Sequence, residues 1–456
     1  MNVFPRLSFL LSSIPLKIPD YWFKEIKSLF TKFLWRNKKP RISLSKLTLS
    51  REKGGLGIPD IYDYYLVFNG KYPMSWAYHE HCVVGSWLWL EKNIIYDCKK
   101  DISLSSLWYA PKTKTNFKNA IIDFSCEITK IIHKKCAING LTLPSCPLWQ
   151  NPLFSAGGKM LSNEIWISHN IKSLDQIIRQ GKIISFNELK TKFALNDTCF
   201  FQYLQFKSIL EKYKTGDLIL ASEGERDTKL KEITRNRGTI SKLYKFIHTP
   251  PASIMNKIKL QWEQDLGKNI TAQQWSAIMQ HPNTASRCVR YKLIQLKLLH
   301  RVYITPLKLK KMDPDTSDAC WYGCRERGTM MHMLWDCPEV KRLWEGVHNA
   351  LSKITNVNIS VSPEICLLGI GVDGIRSSST QRLFTLAFLS VKRIILMNWK
   401  VRKPNCFCLE RWLEDFVELV LMESAAASLQ GFCRDDAMTD IWPSIQNYIR
   451  RRYPSF

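Results

Sequence analysis

Residues 320–344 read CWYGCRERGTMMHMLWDCPEVKRLW, and this stretch decides how the chain is understood. Cys320, Cys324, His332 and Cys337 stand in the order C-x3-C-x7-H-x4-C. Three soft thiolates and an imidazole complete a tetrahedral set for zinc, and a set with no open position suits a structural site rather than a catalytic one. Gly323 relieves the short loop between the first two cysteines, so the first half reads as hairpin-like. The second half enters an apolar-periodic run, Leu334, Trp335, Val340, Leu343, Trp344 and Val347, which predicts a helix. One helical turn would present His332 and Cys337 to a common centre, and Pro338 sits where a first helical turn tolerates proline. Without a metal, the same residues read as reduced thiols and a packed histidine.

Helical periodicity recurs outward from this segment. Trp22, Phe23, Ile26, Leu29, Phe30, Phe33 and Leu34 form a wide apolar stripe behind Asp20, a natural N-cap. Further periodic pieces fall at 121–132, 200–213, 241–247, 254–265 and 286–303. The expected fold is therefore mainly α, a multi-domain helical chain with a small zinc-knuckle-like element near the C-terminus. A glycine-rich turn, KGGLGIPD at 53–60, lacks the lysine and hydroxyl residue that a nucleotide P-loop needs after its last glycine. It reads as a tight connector, with Pro59 and Asp60 opening the next helix. Residues 221–239 are polar with few apolar anchors and read as a linker.

Charge points to the partner. The 66 Lys and Arg against 40 Asp and Glu give a net charge of +26, which calls for a polyanion, nucleic acid first and an anionic membrane surface second. The most apolar stretch, 383–399, is broken by Lys392 and Arg393, so no membrane partner is expected. Fourteen irregularly spaced cysteines read as reduced thiols in the nucleus and cytoplasm. Trp35, Arg36, Lys38, Lys39 and Arg41 form a cationic loop beside an aromatic that suits phosphates and a stacked base; a solvated loop is the bland alternative. Residues 284–312 hold eight Lys or Arg and no acid. On one helix Arg290, Lys297 and Arg301 would fall within about 40° of one another, with Arg287 nearby, a second phosphate-binding face. The acidic amphipathic segment 409–423 is expected to pack on its own domain, and His79, His81, His133 and His169 read as ordinary surface or core histidines.

Residues 14–65, IPLKIPDYWFKEIKSLFTKFLWRNKKPRISLSKLTLSREKGGLGIPDIYDYY, resemble the segment after the palm of LINE-type non-LTR retrotransposon reverse transcriptases, the second-open-reading-frame proteins. The resemblance extends to the cysteine segment, with Trp321 after the first cysteine, Gly323 before the second and the Leu-Trp-Asp-Cys ending, and to Asn398-Trp399-Lys400 with the helical run behind it. It implies a thumb-like region at 1–80, a connecting region at 81–220, the linker, and a C-terminal nucleic-acid-binding domain at 240–456 containing 320–337. It also implies RNA as the first partner, duplex or nicked DNA as the second and a catalytic reverse transcriptase chain as the third. The family's aromatic-x-Asp-Asp turn, which holds two magnesium ions, has no counterpart. Asp435-Asp436 follows Cys433-Arg434 instead, so no magnesium site, no catalytic residue and no enzyme activity are expected of this chain alone. Two other readings stand beside a binding fragment: a part completed by a separate catalytic chain, and a retrotransposon remnant.

Overall fold

The computed structural model describes residues 3–78, 86–98, 102–111, 117–213, 219–235, 237–358, 360–370, 377–429 and 442–452. Among the described residues helices account for 65% and strands for 3%, so both cores are built by helix packing, as the periodicity predicts. The chain divides into two compact units, each discontinuous in sequence. The first comprises Met1–Phe30 and Pro59–Thr249, the second Thr31–Ile58 and Pro250–Phe456. The expected boundaries at 80, 220 and 240 are therefore replaced by one at Thr249-Pro250-Pro251 and by the exchange of 31–58 into the second unit.

The first unit is organised around the helix Ile61–Tyr78, which is buried on nearly all sides. Asp60 caps it, its carboxylate accepting the amides of Tyr62 (3.0 Å) and Asp63 (3.2 Å). The helices Val3–Ser13, Ala120–Cys136 and Thr239–Ile247 pack on it. Gly70 permits the closest approach, because a Cβ there would lie 2.3 Å from Ile132 Cδ1. Asp63, buried in this helix, is held by Lys135 and by His248 Nδ1 at 2.7 Å. Two short antiparallel hairpins, Ser155–Ala156 with Lys159–Met160 and Ile178–Arg179 with Lys182–Ile183, close on paired positive-φ residues suited to tight turns.

The expected linker at 221–239 is instead part of this core. It carries the helix Gly224–Arg235, with Leu230 and Ile233 buried. Asp227 is buried as well, accepting from Tyr78 Oη (2.9 Å) and from Ser145 N (2.9 Å) and Oγ (2.5 Å). A carboxylate so fully hydrogen-bonded replaces the apolar anchors whose absence suggested a linker.

In the second unit the helix Ser378–Met397 is the axis, packed by Val289–Leu299, Pro338–Thr355 and Leu409–Leu429. The charges that break its apolar run are satisfied inside the fold. Lys392 Nζ donates to Gln295 Oε1 (2.6 Å) and the Leu367 carbonyl (3.3 Å), while Arg393 pairs with Asp415 at 2.5 Å. The acidic helix packs on its own unit: Glu423 accepts from Ser286 and pairs with Arg382 at 2.5 Å. Gly55 allows the 49–57 connector to fold on itself, since a Cβ would meet the Leu49 carbonyl oxygen at 2.1 Å. His300 Nε2 then holds the Gly54 carbonyl at 2.7 Å. No helix among the described residues is long and apolar enough to cross a membrane.

Candidate functional site

The cysteine segment folds as its spacing suggests. Residues 318–328 turn back in a hairpin-like loop, with Cys320 N donating to the Glu326 carbonyl (2.7 Å) and Gly328 N to Asp318 (2.8 Å). Gly323 takes φ +96°, the conformation expected of it. The expected helical turn is present at His332–Asp336 and is of the π type, with Cys337 N donating to the His332 carbonyl at 2.9 Å. The type is functional, because residues five apart on an α-helix point about 140° away from each other, whereas an i→i+5 turn brings them together. Pro338 then starts the helix Pro338–Thr355.

The ligand atoms of Cys320, Cys324, His332 and Cys337 all lie within 4.8 Å of one another. Cys320 Sγ and Cys337 Sγ are 3.9 Å apart, and Cys324 Sγ and His332 Nε2 are 3.1 Å apart. Around a tetrahedral ion bonded at about 2.3 Å to sulfur and about 2.0 Å to nitrogen, such atoms are separated by roughly 3.5–3.8 Å. The observed separations bracket that range, so the four residues can hold a metal ion and leave it no free protein-side position. The Cys320 thiol hydrogen-bonds to the Cys337 sulfur, which holds Cys337 well below the usual thiol range and raises Cys320. The Glu339 amide at the helix start adds to the stabilisation of the Cys337 thiolate, the form a metal requires.

The second unit also contains a half-open cleft of about 540 Å³. The helix Asp20–Leu34 ends in a left-handed turn at Arg36 (φ +49°) and Asn37 (φ +60°), and Pro40 prevents its continuation. Trp35 packs on a small cluster of Ile42, Leu47 and Val302, leaving the loop's cations exposed. Trp35, Lys38, Lys39 and Arg41 line the cleft together with Lys297 from the helix Val289–Leu299 and Lys308 from Pro306–Met312. Tyr303 completes it, packed on Trp399 with ring centroids 5.7 Å apart. None of the five cations pairs with a carboxylate among the described residues. Lys308 is held below the usual lysine range, first by burial and then by Arg301 and Arg41.

Other residues expected at the interface lie elsewhere. The basic helix stops at Leu299, not at 303, which breaks the anticipated row. Arg301 lies beyond its end at φ +53°, donating to Asp265 (2.6 Å) and stacking 4.7 Å over Trp262. Arg287 precedes the helix and faces Glu423 at 3.9 Å. Arg36 and Arg290 are exposed but do not line the cleft. Sequence reading missed Tyr303 and Lys308, although both sit within the acid-free stretch 284–312 that signalled the patch.

His133 is buried against Trp108 with its pKa lowered to about 3 by burial, and His169 is exposed, so both are ordinary histidines. His79, His81, Cys433 and the Asp435-Asp436 pair lie outside the described residues. No protein-family model matches the chain.

Proposed function

We propose that this chain is a nucleic-acid-binding part of a LINE-type non-LTR retrotransposon reverse transcriptase. In this reading it holds template RNA, and secondarily nicked target DNA, during target-primed reverse transcription in the nucleus and cytoplasm. Bond making belongs to a separate catalytic chain, and no residue described above is assigned a part in it. The observation that carries the reading is the convergence of 35–41 with Lys297 and Lys308 in one cleft. These segments are more than 250 residues apart, and chemistry alone had marked the regions containing them as phosphate-binding. Cations gathered without carboxylates repel one another unless a polyanion is near.

The metal in this reading is zinc, because a sulfur-rich set of four protein ligands favours it over hard, oxygen-seeking cations. Its role is architectural: it ties the 318–328 loop to the start of the helix Pro338–Thr355.

The test is a titration of the purified chain against structured RNA and duplex DNA over a salt series. Five phosphate contacts give log–log slopes of roughly −3.5 for a single strand and −4.5 for a duplex. Weak, salt-insensitive binding to both would sink the proposal.

A further inference from the structure

The cleft described above contains more than a phosphate site requires. An inorganic anion or a duplex backbone would engage its cations and leave Trp35 and Tyr303 unused. A lipid chain would use the aromatic surface and leave most of the cations unanswered. A volume of about 540 Å³ falls within the ~300–1,000 Å³ of sites that enclose small ligands. The ligand that matches every lining group carries a flat apolar face and negative charge on one body. Among components of a nucleic acid, that is an unpaired nucleotide, since base pairing hides base faces in the stack and a single strand exposes them. Both rings are held in place before any ligand arrives, Trp35 by Ile42, Leu47 and Val302, and Tyr303 by Trp399. Little side-chain freedom is then lost on stacking.

We propose that this cleft receives one unpaired nucleotide of a single strand, its base against Trp35 and Tyr303 and its phosphates on Lys38, Arg41, Lys297 and Lys308. The inference rests on the nucleic-acid reading above and deepens it, turning a general attraction to polyanions into selection for single-stranded segments. RNA and DNA strands offer the same chemistry, so both are possible sources of the nucleotide.

The experiment is fluorescence anisotropy with a labelled short single strand, made as RNA and as DNA, and a blunt duplex with the same number of phosphates, all at one salt concentration. The full chain binds the single strands more tightly than the duplex, and whichever strand binds better identifies the source. Trp35→Leu and Tyr303→Leu, which keep apolar packing and remove the π face, each weaken single-strand binding by about 5- to 150-fold. Duplex binding falls less than single-strand binding in both. Two separate substitutions keep the result readable if one impairs folding. Lys297→Ala weakens both substrates and flattens their salt dependence. Equal affinity for strand and duplex, with normal salt dependence, overturns this inference and leaves the nucleic-acid reading intact. Absence of salt-dependent binding to every substrate overturns both.

Discussion

Lys392 offers a prediction whose sign changes with pH. Its ammonium group is fully enclosed in the second unit, facing Gln295, the Leu367 carbonyl, Cys366 and His281. Burial lowers its pKa from 10.5 to about 7. The native state thus binds fewer protons than the unfolded chain between those values, and stability from this group rises as pH climbs through the window. At pH 7 the penalty is nearly complete, about 5 kcal/mol for a shift of that size. Lys392→Met keeps the volume and removes the penalty, but leaves the Gln295 and Leu367 oxygens without their donor, a loss of about 1–3 kcal/mol. The variant is therefore more stable than wild type by about 2–4 kcal/mol at pH 7, which raises the unfolding temperature of a unit this size by about 4–16 °C. The advantage shrinks as pH rises, vanishes between about pH 8 and pH 10 for a loss of that size, and reverses beyond that point. Calorimetric melts of both proteins from pH 6.5 to 10.5 at constant ionic strength provide the comparison. A difference that does not vary with pH would mean that Lys392 keeps one protonation state throughout and that its burial carries no such penalty.

Three further predictions concern the metal, the core and the interface. Elemental analysis of the purified chain finds one zinc per molecule, Cys337→Ser and His332→Ala lose it, and chelation lowers the melting temperature of the wild type but not of these variants. Gly70→Val drives side-chain atoms into Ile132 and destabilises the first unit by about 1–3 kcal/mol in urea unfolding, with Gly70→Ala milder. Arg41→Ala reduces the salt slope of RNA binding by about 0.7, whereas Arg301→Ala leaves the slope unchanged and lowers stability, because its guanidinium serves Asp265 and Trp262.

Much of this architecture was legible in the sequence because it rests on local rules. Asp60 caps its helix, Gly323 takes a left-handed turn, and four ligand atoms converge from spacing alone. What escaped was set by distant partners. Asp227 looks like a solvent-facing acid in a polar stretch until Tyr78 and Ser145 supply its hydrogen bonds from far along the chain. Arg301 belongs to the helical row only if the helix continues past Leu299, and a wheel cannot see Asp265 drawing the side chain away. The transfer of 31–58 into the second unit has no local signature, because it depends on Leu49 and Trp35 finding apolar partners that come much later in the chain. The π-turn at His332 lies between these cases, since its ligands were evident and its hydrogen-bonding register was not.

In the proposed reading, two remote basic segments act as one phosphate-binding surface. Its most direct test is the salt dependence of RNA affinity for wild type, Lys39→Ala, Lys297→Ala and the double variant. Each single change removes about 0.7 from a steep slope and the double removes about twice that, while the fold, followed by circular dichroism, is unchanged. A wild-type slope near zero, or a slope untouched by both substitutions, would contradict that reading.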